Sequence, residues 1–106
     1  MQQPDLQVVT LIGRRTFSSG LMNAIQLKKA GAILVGEPTG GKPNHYGEVR
    51  VFTLPNSGLA VQYATKYFRM LDDSDPPSLM PDVSVPLTIE DQLNGHDSTL
   101  EAALAQ

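Results

Sequence analysis

Cysteine and tryptophan are absent from this chain of 106 residues, and histidine occurs only at His45 and His96. Without cysteine there is no disulfide, no thiol nucleophile and no cysteine-ligated zinc. A histidine-rich metal site cannot be built from His45 and His96 alone. No apolar run approaches the ~20 residues that cross a bilayer. We therefore expect no metal, no other cofactor and no membrane span.

Positive charge is also scarce. The net charge is -3 at pH 7, with 8 Lys and Arg against 11 Asp and Glu. Nucleic acids and anionic membranes require a basic surface, so neither is an expected partner. The opening stretch MQQPDLQ is polar and lacks a basic run, so no signal peptide is predicted within the chain. Hydrophobic residues make up 41% of the sequence, which is typical of one folded globular domain.

The first third of the chain has the pattern of a strand, a helix and a second strand. Residues 7–12 are rich in β-branched side chains and predict a buried strand. Residues 20–30 carry apolar side chains at helical spacing, and Gly31 supplies the stop. Residues 32–35 are apolar and predict the second strand. A unit of this kind is normally parallel and right-handed.

The remaining two thirds predict a hairpin and short terminal elements, so the fold class is α/β. Residues 48–54 and 59–65 predict two strands joined by a four-residue turn. Residues 81–85 predict a short extended segment. Capping boxes that begin at Thr88 and Ser98 predict two short helices. One main helix covers only one face of a parallel sheet, so we expect self-association or a larger parent domain.

A serine stands at the first strand-to-helix junction, where residues 16–20 read TFSSG. The first backbone N–H groups of a helix are unpaired and carry the positive end of its dipole. Ser18 at such a position is a candidate nucleophile, because those N–H groups can stabilise an oxyanion. The alternative is that Ser18 or Ser19 is a simple N-cap, which is a favoured role for serine.

A serine nucleophile needs a base to take its proton. Lys42 qualifies if burial lowers its pKa toward neutrality, and otherwise it is an exposed loop lysine. His45 is the other candidate within the chain, and the alternative for it is a surface position. The sequence leaves these possibilities open.

Residues 36–42 read GEPTGGK and come after a predicted strand, which matches the first seven positions of a phosphate-binding P-loop. The eighth position must supply a hydroxyl to magnesium, and here it is Pro43. A helix must then begin, whereas residues 44–48 show no helical pattern. A nucleotide-binding function is therefore rejected.

These stretches together resemble the catalytic domain of the C-terminal processing peptidases, also called tail-specific proteases. Tricorn-type proteases and interphotoreceptor retinoid-binding repeats are related branches. The resemblance rests on the ordered set of motifs, which runs from Val8 to Leu104. These motifs are TFS at residues 16–18, GEPTGGK at 36–42, the hairpin turn at 55–58, PDVSV at 81–85 and GHD at 95–97.

The resemblance implies a serine peptidase acting by acyl transfer on a peptide or protein substrate. By its pattern Ser18 is the nucleophile, Lys42 the general base of a Ser/Lys dyad, and the Ser19 N–H an oxyanion-hole donor. It implies that residues 1–106 are the C-terminal half of a ClpP/crotonase-like catalytic domain. The partner would then be the missing N-terminal half, unless the chain self-associates. Relatives suggest a periplasmic, secreted or cell-envelope parent protein.

The chain departs from the family pattern near the nucleophile. The processing peptidases usually carry an acidic residue three or four positions after the serine, where this chain has Leu21 and Met22. In the tricorn-type branch the base is a histidine from an earlier part of the chain. The retinoid-binding repeats use the scaffold without catalysis, so a non-catalytic ligand- or peptide-binding module is the alternative function.

Overall fold

The structure is a computed structural model that describes residues 6–106, so most of the polar opening stretch lies outside the described residues. It contains five strands and three helices in this part of the chain. Their bounds are β1 (Val9–Ile12), α1 (Ser19–Lys29), β2 (Ile33–Gly36), β3 (His45–Thr53), β4 (Ala60–Phe68), β5 (Val83–Ser84), α2 (Ile89–Leu93) and α3 (Ser98–Leu104).

A three-stranded parallel sheet forms the centre, in the order β1-β2-β5. Val9 pairs with Ile33 and Ile12 with Gly36, so the predicted strand-helix-strand unit is confirmed. The core lies between this sheet and α1, where buried side chains come together. They are Ile12, Leu21, Ala24, Ile25, Leu34 and Leu79.

The expectation that the first strand is buried was wrong. It spans four residues rather than six, and Leu11 remains 44% exposed. Successive side chains of a strand point to opposite faces, so Leu11 lies on the face opposite the core residue Ile12. Helix α3 packs against β1 and β2 and places the Thr99 methyl group near Gly36. The second face of the sheet is therefore covered in part, by the short terminal helix.

The predicted hairpin is confirmed, but its strands are longer than the sequence indicated. β3 begins at His45 rather than residue 48, and β4 continues to Phe68. The added length is held by ring contacts between the strands, since His45 stacks on Phe68 at 5.4 Å and Tyr46 meets Tyr67 at 4.8 Å.

The two terminal helices exist as predicted, but one of the caps differs. Thr88 Oγ1 accepts a hydrogen bond from Asp91 N–H at 3.0 Å and caps α2. The cap of α3 is Asp97, whose carboxylate accepts from Leu100 N–H at 3.0 Å. The prediction that Ser98 is the cap was wrong by one position. The carboxylate of Asp97, the preceding residue, binds the unpaired N–H at the start of α3.

The described residues form an elongated body with a Cα radius of gyration of 17.5 Å. A compact domain of ~100 residues has a radius near 13 Å. Most of the hairpin is exposed, which accounts for the extension. None of the helices in residues 6–106 is long and apolar enough to cross a membrane.

Candidate active site

Ser18 occupies a strained backbone position between β1 and α1. Its φ is 51° and its ψ is -124°, a conformation that residues other than glycine rarely adopt. Its side chain makes no capping hydrogen bond to α1. The interpretation of Ser18 as a simple N-cap therefore fails on geometry, and a sharp strand-to-helix turn that exposes the serine is the arrangement of a nucleophile elbow.

The turn around Ser18 is held from both sides. Thr16 N–H donates to Gly13 O at 2.8 Å, and Gly13 N–H donates to Thr16 Oγ1 at 3.0 Å. After the serine, Gly20 N–H donates to Phe17 O at 3.1 Å. Within residues 6–106 no backbone carbonyl accepts a hydrogen bond from the Ser19 N–H. An N–H group at the start of a helix, next to the serine, is thus left available for an oxyanion.

The structure brings the TFSSG turn and the GEPTGGK turn into contact. Gly41 N–H donates to Thr16 O at 3.1 Å. A Cβ on Gly41 would lie 2.8 Å from Phe17 Cβ, and one on Gly40 would overlap the Arg14 carbonyl. Both positions therefore require glycine, because Arg14 approaches Gly40 and Phe17 of the TFSSG turn approaches Gly41. This contact places the chain just before Lys42 beside the turn that carries Ser18.

Thr39 fixes the second turn from the side of the core. Its hydroxyl is buried, donates to Gly41 O at 2.8 Å and accepts from Leu79 N–H at 2.9 Å. Thr39 N–H donates in turn to Leu79 O at 3.1 Å. The threonine of GEPTGGK therefore ties the turn to the segment before β5.

Lys42 does not lie in an apolar site. Its Nζ donates to Asp75 Oδ2 at 2.7 Å, and its side chain is 44% exposed. The hydrogen bond to the Asp75 carboxylate raises the pKa of Lys42 above its ordinary value. Burial does not lower the pKa of this amine overall, so Lys42 can act as a base only after the contact with Asp75 opens.

His45 is oriented by two contacts that the sequence did not reveal. Its Nδ1 lies 3.0 Å from Pro43 O, and its ring stacks on Phe68. When Nδ1 donates to that carbonyl, the neutral ring keeps Nε2 as its free acceptor. His45 stays a candidate base in the chain, now with a defined orientation.

His96 is held in the tail and not at the turns. Its Nδ1 lies 3.1 Å from Asp91, and its Nε2 lies 2.8 Å from Glu101. It therefore connects the two terminal helices. No group of three or more His, Cys, Asp and Glu side chains within residues 6–106 has the spacing of a metal site.

Two polar residues with a structural role were missed by the sequence analysis. Asn44 is buried and ties the 71–75 loop to the start of β3. Asp82 accepts from Leu34 N–H at 2.8 Å and pairs with Lys28 at 3.3 Å. The Leu34 hydrogen bond is the main reason why the pKa of Asp82 is lowered. The PDVSV motif offered a signal for Asp82, whereas nothing local distinguishes Asn44.

The GEPTGGK turn has none of the surroundings of a P-loop, in agreement with the rejection of nucleotide binding. Residues 43–44 lead from the turn directly into β3, where a P-loop would lead into a helix. Glu37 of the motif pairs with Arg14 at 3.5 Å. The turn therefore contacts the segment 14–17, where a P-loop would surround a phosphate.

The described residues combine a mixed α/β fold with a serine on a strained strand-to-helix turn, which packs against the GEPTGGK turn. The model of Peptidase family S41 matches residues 1–85, and the chain belongs to that family. The search of curated proteins found no match. The matched range ends at β5, so the resemblance seen in residues 86–104 lies outside it and stays a prediction.

Proposed function

We propose that this chain carries the nucleophile of a serine peptidase of the C-terminal processing type. The observation that supports this most is the backbone of Ser18, strained at φ 51° and free of any capping bond, beside the unpaired Ser19 N–H. A positive φ in a residue other than glycine costs on the order of 1–3 kcal/mol. Such strain persists at functional sites, and a serine that served only as a cap would not need it.

In the proposed reaction Ser18 Oγ attacks a peptide carbonyl carbon while a base takes the hydroxyl proton. The carbonyl oxygen becomes an oxyanion, which the Ser19 N–H stabilises. The base returns the proton to the leaving amine as the C–N bond breaks, and water then hydrolyses the acyl-enzyme. Lys42 is the proposed base, in its neutral form. A histidine outside residues 1–106 is the alternative base.

The isolated chain is expected to have little or no peptidase activity. By family resemblance, the second oxyanion donor and much of the cleft are contributed by sequence upstream of these residues. The exposed edge of β3 is the proposed place for an extended substrate, because an unpaired strand edge accepts a peptide by strand addition.

A non-catalytic binding module is the second candidate. Two observations favour it: the positions after the serine where an acidic residue is usual are Leu21 and Met22, and Lys42 is engaged by Asp75. The same strand edge would then hold a peptide without cleaving it.

Covalent labelling tests the proposed function without requiring turnover. The purified chain is incubated with a fluorophosphonate, which phosphonylates activated serines, and the modified residue is located by peptide mass spectrometry. We expect modification at Ser18 that is lost in Ser18→Ala. Ser57→Ala, in the exposed hairpin turn, is the matched control and should label like the wild type. Absence of label from Ser18 across the pH range would favour the binding module.

A further inference from the structure

The contact between Lys42 and Asp75 is held in place by the fold around it. The Nζ–Oδ2 distance is 2.7 Å, although both side chains are partly exposed, at 44% and 59%. Exposed ion pairs are usually loose, because two long side chains lose conformational entropy when they meet. Here one partner, Asp75, lies in a loop that hydrogen bonds with Asn44 hold in place.

Asn44, two residues after Lys42, is the residue that fixes Asp75. It is 3% exposed. Its Nδ2 donates to Ser74 O at 2.9 Å, to Leu71 O at 3.2 Å and to Asp75 Oδ1 at 3.4 Å. Its Oδ1 accepts from Leu71 N–H at 2.9 Å. The 71–75 loop is therefore shaped by the segment that carries Lys42, and one carboxylate oxygen of Asp75 is left for the amine.

An amine that donates to a carboxylate at this distance is an ammonium ion with no lone pair for a proton. We propose that Asp75 is an inhibitory residue of the Ser18 site, which holds Lys42 protonated until the carboxylate is drawn away. This inference rests on the proposed function, since it concerns the base of the same reaction. Arg69 lines the same surface cavity as Asp75, and its charge also lowers the pKa of that carboxylate.

The proposal is tested by titrating the Lys42 amine and labelling Ser18 in the same set of variants. Asp75→Asn removes the charge and keeps a side chain of the same shape for Asn44. Asp82→Asn is the matched control, since Asp82 pairs with Lys28 in the same way. The Lys42 pKa is followed by NMR of its side chain, and the labelling rate is measured with the fluorophosphonate at pH ~8, below the ordinary pKa of lysine.

We expect Asp75→Asn to lower the Lys42 pKa and to accelerate labelling of Ser18. Below the pKa, a fall of about half a unit increases the neutral fraction of the amine, and hence the rate, roughly threefold. Asp82→Asn should leave the Lys42 pKa unchanged. Asp75→Glu restores the charge and should label at the wild-type rate. Adding Lys42→Ala to Asp75→Asn should abolish the acceleration.

Two results would overturn the proposal and leave the proposed function standing. One is an unchanged Lys42 pKa in Asp75→Asn. The other is a lowered Lys42 pKa in Asp75→Asn while Ser18 is labelled at the wild-type rate. That result would mean that Lys42 is not the base for Ser18. If Ser18 is labelled in none of the variants, the proposed function fails together with the inference. Circular dichroism of each variant confirms that it is folded.

Discussion

At the scale of the residue, the strain at Ser18 makes a prediction about stability. Glycine has no Cβ and accepts a positive φ without steric cost. Because the Ser18 side chain makes no capping bond, Ser18→Gly should raise the free energy of unfolding by ~1 kcal/mol, from relief of the strain. Urea denaturation measures the change.

Ser19→Gly is the control for that substitution, since Ser19 begins α1. Glycine inside a helix is destabilising, so the two neighbouring changes should have opposite signs. A loss of stability in Ser18→Gly would show that the serine side chain supports the fold, contrary to the functional interpretation of its strain.

The glycines of GEPTGGK make a second prediction at this scale. Gly41→Ala would place a methyl group 2.8 Å from Phe17 Cβ, which forces the two turns apart. Overpacking of this kind costs about 1–3 kcal/mol. Gly20→Ala is the matched control, because a Cβ there meets nothing within 4 Å. Thermal unfolding should show a lower Tm for Gly41→Ala and not for Gly20→Ala; equal Tm values would mean that the turns do not depend on each other.

At the scale of the element, the two terminal helices are joined through His96. Hydrogen bonds to Asp91, and then to Glu101, raise the pKa of His96 above 6.5. The unfolded chain has the ordinary pKa, so the stabilisation is fully present below pH ~6.5 and is lost as the pH rises through the raised folded value. The packing of α3 on the sheet should therefore weaken at alkaline pH.

Amide hydrogen exchange of α3 tests this effect. It is measured from about pH 6 to about pH 9, so that the histidine titrates within the range. The intrinsic dependence of exchange on pH is subtracted. His96→Gln removes the titrating group, and its residual pH dependence should be flat. If His96→Gln and the wild type share one profile, another group controls the docking of α3.

At the scale of the whole molecule, the hairpin carries apolar surface that residues 6–106 leave uncovered. Tyr46 is 74% exposed and Leu59 63% exposed. The strand pairing puts Tyr46, Tyr67, Tyr63, Phe52 and Val61 on one face of the hairpin. A two-stranded hairpin is at best marginally stable in water without further packing, so we propose that this face is covered, by a second copy or by the remainder of a parent domain.

Sedimentation of the purified chain tests self-association. We expect a species heavier than the 11.5 kDa monomer that becomes lighter in Tyr46→Asp, because a charge in the contact is costly to bury. Thr53→Asp, on the opposite face of β3, is the control and should sediment like the wild type. A well-folded monomer at all concentrations would contradict self-association. The mass of the natural protein in its source cells then decides whether a parent domain supplies the cover.

The secondary-structure elements and their order follow from local patterns in the sequence. Apolar periodicity, glycine stops and the Thr88 cap are local signals, so the strand-helix-strand unit, the hairpin and the short helices could be predicted from it. The position of Ser18 between β1 and α1 could be predicted from local signals as well. The hairpin length was misjudged because the His45–Phe68 stack joins residues that meet only in the folded chain. The α3 cap was misjudged although its signal is local, since Asp97 lies three residues before Leu100.

The surroundings of the candidate site depend on contacts between segments that are distant in the sequence. The TFSSG turn that holds Ser18 in its strained conformation packs against Gly41. No local pattern specifies this contact. The partner of Lys42 lies 33 residues away in the chain, and the carboxylate is fixed there by a buried asparagine. An ionisable group takes its pKa from the charges and hydrogen bonds around it. The sequence therefore showed which side chain could be the base, and the fold decided that a carboxylate binds its amine and raises its pKa.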